Sequence, residues 1–265
     1  KKGMVFRMKK TYKSRPVIMA IPTIFFAFPL FFLIKTSLEK RGIDNYIYVI
    51  SELNIGKNIL NSLIVGVLTV CIVVAITLPA AFAFSKIKFK GKNILFLLVL
   101  MAMMVPGISI AVPMVKTIRT MGLFNNYFAL ILPYVALNSP LALILSKNFM
   151  DGISNELMEA GMLDGCTVWK SFLHIYVPLA KPVLAITSVF TFLNCWNEFV
   201  FAKLFMQKET MQMVSTIPIK FQVDMYTNIP GLFAGLVIVQ LPVLILYLLF
   251  QNVFREGMTA GAIKG

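Results

Sequence analysis

Charge is scarce in this sequence. Asp, Glu, Lys and Arg make up 14% of its 265 residues, where a soluble domain carries about 25%. Histidine is nearly absent, with His174 alone, which argues against imidazole-based metal or acid–base chemistry. There are three cysteines, two of which, Cys71 and Cys195, fall inside apolar runs. That number and spacing fit neither a disulfide framework nor a zinc site. No G-x-x-x-x-G-K-[ST] phosphate loop is present: Gly56-Lys57 and Gly91-Lys92 lack both the preceding glycine and the following Ser/Thr. Nor does any nucleophile stand beside a matching base in the chain. No catalytic or metal-ligating set is expected, so a process driven by ATP needs its energy from a partner.

What the chain has in abundance is apolar surface. Hydrophobic residues are 58% of the sequence, and the mean hydropathy is +0.83. A soluble core of this size cannot hide so much, so lipid is the solvent for much of the chain. The net charge of +14 does not indicate nucleic acid, because the basic residues lie in short runs between long apolar segments.

Six such segments occur. They are Val17–Ile34, Ser62–Phe84, Ile94–Val115, Tyr127–Ser146, Val183–Ala202 and Leu232–Phe254. Each approaches or exceeds the roughly 20 residues a helix needs to cross a bilayer, and none shows the alternation of a barrel strand. Val17–Ile34 is longer than a signal-peptide core and has no small-residue cleavage site after it. The sequence therefore predicts an all-α membrane protein of about six spans, forming one transmembrane domain over 1–265. The first span has candidate bends at Pro22 and Pro29. The third is interrupted by Pro106, Gly107 and Pro113.

The loops give orientation. The arm before the first span holds seven Lys/Arg and no acid, and Ser85–Asn93 holds Lys86, Lys88, Lys90 and Lys92. In all, 16 of the 25 basic residues fall on the side of the N-terminus. The positive-inside rule then predicts that both termini lie in the cytoplasm of a bacterial cell. Two connections are long, 147–182 inside and 203–230 outside, and loops of that length are usually functional.

The inner loop reads as a compact knob. Asp151 or Ser154 can cap a short helix running to Asp164, Gly165 breaks it, and Thr167 can cap a second helix. Trp169, Phe172, Leu173 and Tyr176 then recur at helical spacing as one apolar face, and Pro178 ends the helix. With four acids against three bases, this loop suits a protein partner better than an anionic lipid surface.

Glu159-Ala160-Gly161, then Gly165, then Ile175-Tyr176-Val177-Pro178 resembles the conserved-motif loop of ABC importer permeases, with Gly161 and Val177 as small apolar departures. Trp196-Asn197-Glu198-Phe199 and the terminal run Arg255–Gly265 resemble the MalG-like permeases of carbohydrate importers. The resemblance implies the type I importer permease fold. It also implies that Glu159, Ala160, Gly161, Asp164, Gly165, Ile175 and Pro178 couple the chain to an ATPase dimer. The tail 255–265, with Gly261 and Lys264, would reach into that dimer. ATP and Mg would sit on the ATPase subunits and no cofactor on this chain. A second homologous permease and an external sugar-binding protein complete the implied assembly, with 203–230 facing the latter. The implied cargo is an oligo- or disaccharide, moved by alternating access.

Glu198 is the one acid inside an apolar run. Two readings stand: a gate or path residue, or a hydrogen-bonding anchor near the outer end, with Lys203 close by. Asn194 and Asn197 beside Trp196 supply amides and an aromatic platform of the kind a sugar uses, or equally interhelical hydrogen bonds. Asn138, Ser139 and Pro140 read as a helix break. An ion-gradient transporter using Glu198 is the alternative, although one intramembrane charge and no internal repeat give it little support.

Overall fold

The computed structural model describes residues 20, 22–221 and 228–262, and of 252–262 the backbone alone. Among these residues the chain is helical with no strand. In chain order the helices are α1 (Pro22–Ser37), α2 (Asp44–Glu52), α3 (Ile55–Lys86), α4 (Lys92–Ala102), α5 (Ala111–Thr120), α6 (Phe128–Asp151) and α7 (Glu156–Leu163). They continue as α8 (Val168–Ser171), α9 (Val177–Leu179), α10 (Lys181–Asn197), α11 (Val200–Phe205), α12 (Ile217–Lys220) and α13 (Ile229–Ala262).

The chain divides into two compact units, 1–54 with 218–240, and 55–217 with 241–265. In the first, buried Asn45 on α2 donates to the carbonyls of Ser37 (3.0 Å) and Glu39 (2.9 Å), which pins the turn after α1. Phe32 meets Phe233 edge-on at 6.0 Å, and Lys220 reaches the Leu53 carbonyl at 3.1 Å.

The second unit is built on α3, α6 and α10. Near the start of α3, Asn61 bonds Tyr127 beside the start of α6. At its end, Lys86 bonds residues just past the end of α6, so α3 and α6 run parallel. Val183, early in α10, packs with Leu78 and Leu143 late in the other two, while Cys195 packs with Val65 and Ala129 near their starts. Helix α10 therefore runs antiparallel to both. At 32 residues, α3 is roughly 48 Å long, ample for a hydrocarbon core of about 30 Å.

Among the described residues each of the six apolar runs holds helix. Three helices are long and apolar enough to span, or up to five if each bent pair is one span, and α1 is shorter than that. Residues 17–19 and 21 of the first run lie outside the described residues. Helices α3, α6 and residues Ile229–Gln251 of α13 are each long and apolar enough to cross a bilayer. The third run is broken: α4 and the segment Gly107–Thr120 meet at 86°. Pro106 supplies the cause, because it lacks the N–H that the Ala102 carbonyl would accept. The segment Val168–Leu179 and α10 meet at 73°. The fifth run is also interrupted, since α10 ends at Asn197 and Glu198 is extended (φ −69°, ψ 125°) before α11 starts. Conversely, α6 passes through Asn138–Pro140 unbroken, contrary to the expected break. The last helix continues to Ala262, so Gly261 is helical, while Lys264 lies outside the described residues.

The connection 203–217 is ordered by side chains of α3. The Asn61 amide donates to the carbonyls of Thr210 and Gln212, both at 3.0 Å, and Ser62 Oγ accepts from Val214 N at 2.9 Å.

Candidate functional site

The knob between α6 and α10 is assembled much as its caps suggest. Of the two candidate caps, Ser154 is the one used: its Oγ accepts from Glu156 N at 3.2 Å, whereas Asp151 pairs with Lys147 at 2.6 Å. Helix α7 stops at a left-handed Gly165 (φ +81°). There Cys166 N donates to Gly161 O (2.8 Å) and Gly165 N to Met162 O (3.0 Å), the paired reversal that closes a helix end. Thr167 Oγ1 then accepts from Lys170 N at 3.3 Å and starts α8.

The second arm departs from the expected single apolar face. Residues Phe172–Tyr176 widen into a π-turn, which rotates successive side chains by less than an α-helix does. Phe172 and Tyr176 therefore point inward onto Phe82 of α3, at 5.2 and 4.9 Å between ring centres. Trp169 and Leu173 stay outside, Trp169 at 60% exposure. Pro178 does not end the helix: α9 runs through it to Leu179, and the bend falls at Ala180.

The motif residues divide into two sets. Gly161 and Ile175 face each other inside the knob, and a Cβ on Gly161 would stand 3.0 Å from Ile175 Cδ1 and 3.3 Å from Ser171 Oγ. Glycine at this position lets α7 lie close on the second arm. Glu159, Ala160, Asp164, Gly165 and Pro178 are exposed, together with Leu157, Met162 and Leu163, the last at 89%. The outer surface is thus an apolar patch carrying three carboxylates, Glu156, Glu159 and Asp164.

Lys86 ties this knob to the bundle, and sequence reading had treated it only as loop charge. Its Nζ donates to the Ile153 carbonyl and to Asn155 Oδ1 (3.0 Å), and it lies 5.7 Å from the centre of the Tyr176 ring. A lone lysine in the last turn of a long apolar helix is the signal that could have found it.

At the far end of α10, Glu198 is held by four hydrogen bonds. Its carboxylate accepts from Tyr134 Oη at 2.7 Å, Phe201 N at 2.9 Å and Ala202 N at 3.1 Å, and its carbonyl accepts from Ser215 Oγ at 2.6 Å. The side chain caps α11, where the orphan amides of a helix start favour a negative charge. These bonds are those of an anchor, with Tyr134 rather than Lys203 as partner, and the same residue also borders a cavity.

Asn194 and Glu198 border one cavity of about 350 Å³. Ala102, Ala136 and Asn138 border it as well. Asn194 Nδ2 donates to Asn138 Oδ1 at 2.9 Å across α10 and α6. Asn197 is not part of it: its amide turns back to the Leu193 carbonyl. Trp196 is buried and stacked on Phe192 at 5.5 Å, so it offers no platform to a ligand.

Comparison with known proteins agrees with this architecture. Residues 75–260 match the family model described as binding-protein-dependent transport system inner membrane component. The probable ABC transporter permease protein YurM of Bacillus subtilis is 39% identical over 212 residues, covering 80% of this chain and 70% of that protein. The trehalose/maltose transport system permease protein MalG of Thermococcus litoralis is 35% identical over 232 residues, 85% of this chain and 82% of that one. In fold, the chain superposes at a TM-score of 0.77, with 20% identity, on a chain of a bacterial ABC transporter involved in the import of the acidic polysaccharide alginate, covering 92% and 96%. The chain belongs to the family of inner-membrane components of binding-protein-dependent transport systems, as a MalG-like permease.

Proposed function

We propose that this chain is one permease half of an ATP-driven importer that carries an oligo- or disaccharide into the cytoplasm by alternating access. Its sugar class is supported by relatives such as the trehalose/maltose permease. The observation that carries the coupling role is the knob itself. Its outward face presents Leu163, Trp169, Glu159 and Asp164 with no covering element among the described residues, while its inward face is fastened to α3 through Lys86, Phe172 and Tyr176. An exposed, mixed apolar–acidic surface on the lysine-rich side fits a cytoplasmic ATPase better than lipid.

In this reading both termini are cytoplasmic. ATP and Mg sit on the ATPase dimer, and this chain binds neither. A second homologous permease completes the pathway. An external sugar-binding protein delivers cargo to the ordered 203–217 side, and the tail with Gly261 and Lys264 contacts the ATPase. Closure of the ATPase dimer moves the knob, and the knob moves α3, α6 and α10. Such coupling requires that the partners bind the two conformations with different affinity. The ion-gradient alternative needs a carboxylate free to exchange its ion, and Glu198 is already engaged by three donors.

The test uses the assembled importer in proteoliposomes. Glu159→Lys and Gly165→Pro are expected to leave the protein inserted, with ATP hydrolysis no longer linked to sugar uptake. Wild-type uptake in both variants, or purification without any ATPase subunit, would refute the coupling role.

A further inference from the structure

The cavity beside Asn194 has a property that the packing of helices does not require. Two prolines each remove a backbone donor from a residue on its wall. Pro106 lacks the N–H that would bond the Ala102 carbonyl four residues earlier, and Pro140 lacks the one for Ala136. Ala102 and Ala136 both line the cavity. At the α4–α5 break, among the described residues, the Ala102 carbonyl has a long bond from Val105 N, 3.4 Å. Pro140 leaves α6 unbroken, so its gain is not a kink but an acceptor without its usual helical donor.

Depth makes this informative. Asn138 and Pro140 straddle the middle of α6, which spans Phe128–Asp151. At such a depth in a bilayer, backbone carbonyls short of donors occur only where protein or water-borne groups satisfy them. The same wall carries the Asn138–Asn194 amide pair. Asn138 Nδ2 is committed to the Tyr134 carbonyl (2.8 Å) and its oxygen to Asn194. Asn194, which is exposed, keeps its own amide oxygen and second N–H for a ligand. The set is two carbonyl acceptors and one amide able to give and take a hydrogen bond. The Glu198 carboxylate is taken up by Tyr134 and α11, and the N–H that Asn194 offers is of no use to a cation. Hydroxyl groups, each a donor and an acceptor, do match.

We propose that this cavity is a hydroxyl-binding subsite for passing sugar, formed by the Ala102 and Ala136 carbonyls and Asn194, with Asn138 as the residue that positions Asn194. The inference rests on the carbohydrate reading above and adds that this subunit itself touches the cargo. Pro140 is the specificity device, because it keeps an acceptor open that an ordinary helix would close.

Two variants of the full importer separate this from a structural role. Asn194→Leu removes the hydroxyl partner. Pro140→Ala returns an N–H to the Ala136 carbonyl and, as a better helix former, should raise the melting temperature of the purified complex. Uptake is measured in proteoliposomes with labelled maltose, trehalose, maltotriose and arabinotriose. The expected result is a KM about tenfold higher in each variant, the effect of losing about one hydrogen bond, with the Pro140→Ala complex melting no lower than wild type. A wild-type KM in both variants, with uptake intact, would overturn the subsite and leave the carbohydrate reading standing. A KM rise in Asn194→Leu alone, with a matching fall in melting temperature, would overturn it in favour of helix packing. Failure of the wild-type importer to move any of the four sugars would count against the carbohydrate reading and the subsite together.

Discussion

Replacing Glu198 by alanine removes three hydrogen bonds at one point, and the cost can be worked from their surroundings. Tyr134 is 2% exposed, so its hydroxyl loses its only described partner in a largely buried setting. An orphaned buried donor of this kind costs about 1–3 kcal/mol. The Phe201 and Ala202 amides lose their cap, which adds about 1 kcal/mol. Together these come to about 3 kcal/mol. For a chain of this length, that corresponds to a melting temperature lower by about 6–12 °C. Tyr134→Phe removes the donor and leaves the carboxylate with its two amides, so it should cost less, about 1.5 kcal/mol. In the double variant the Tyr134–Glu198 bond is counted only once. The cycle should therefore show a coupling of about 1.5 kcal/mol between two residues 64 positions apart in sequence. Thermal unfolding of the four purified proteins, followed by tryptophan fluorescence, measures it. Additive effects, or a Glu198→Ala protein as stable as wild type, would show that the carboxylate is free in the path and that its description as an anchor is wrong.

Other expectations follow from the knob. Lys86→Met should detach the loop from α3, lowering sugar-dependent ATPase activity severalfold while the complex still assembles; Lys86→Arg, which keeps the donors, should retain more, as steady-state ATPase assays would show. Gly161→Val should force α7 away from Ile175 and Ser171, and limited proteolysis should then cut near Gly165 more readily than in wild type. Gly165→Ala requires a left-handed alanine, a strain of about 1 kcal/mol, and should weaken coupling less than Gly165→Pro when uptake per ATP is compared.

The degree to which the sequence foretold this structure differs by scale. Apolar runs between basic loops are a signal summed over twenty residues, so helix stands in each run among the described residues, with three to five of them long enough to span. The knob was also legible, because Ser154, Gly165 and Thr167 act through bonds to residues no more than five positions away. What failed was continuity. The break at Pro106 was marked by Pro106 and Gly107, though not its 86° angle, whereas the pause at Glu198 depends on which backbone groups the neighbouring helices leave open, and an apolar run does not encode that. Glu198 looked like a charge stranded in a membrane span because its run was read as one helix. An acid just before an apolar turn is also a helix start, and reading it so would have predicted α11. Its partner Tyr134 lies on another helix and leaves no local trace. Trp169, Phe172, Leu173 and Tyr176 kept their helical spacing in sequence but lost their common face to a π-turn, which spacing does not reveal. Asn138 was taken for a break and is instead the neighbour of Asn194, a pairing set by the antiparallel contact of α6 and α10.

The role of the knob can be read most directly by photo-crosslinking at Leu163, the position where its surface is most open. A benzoylphenylalanine placed there in the assembled importer, irradiated with and without ATP, should yield one adduct whose mass is that of this chain plus an ATPase subunit, with a yield that changes with nucleotide. Adducts to lipid alone, or no adduct in an importer that still transports, would contradict it.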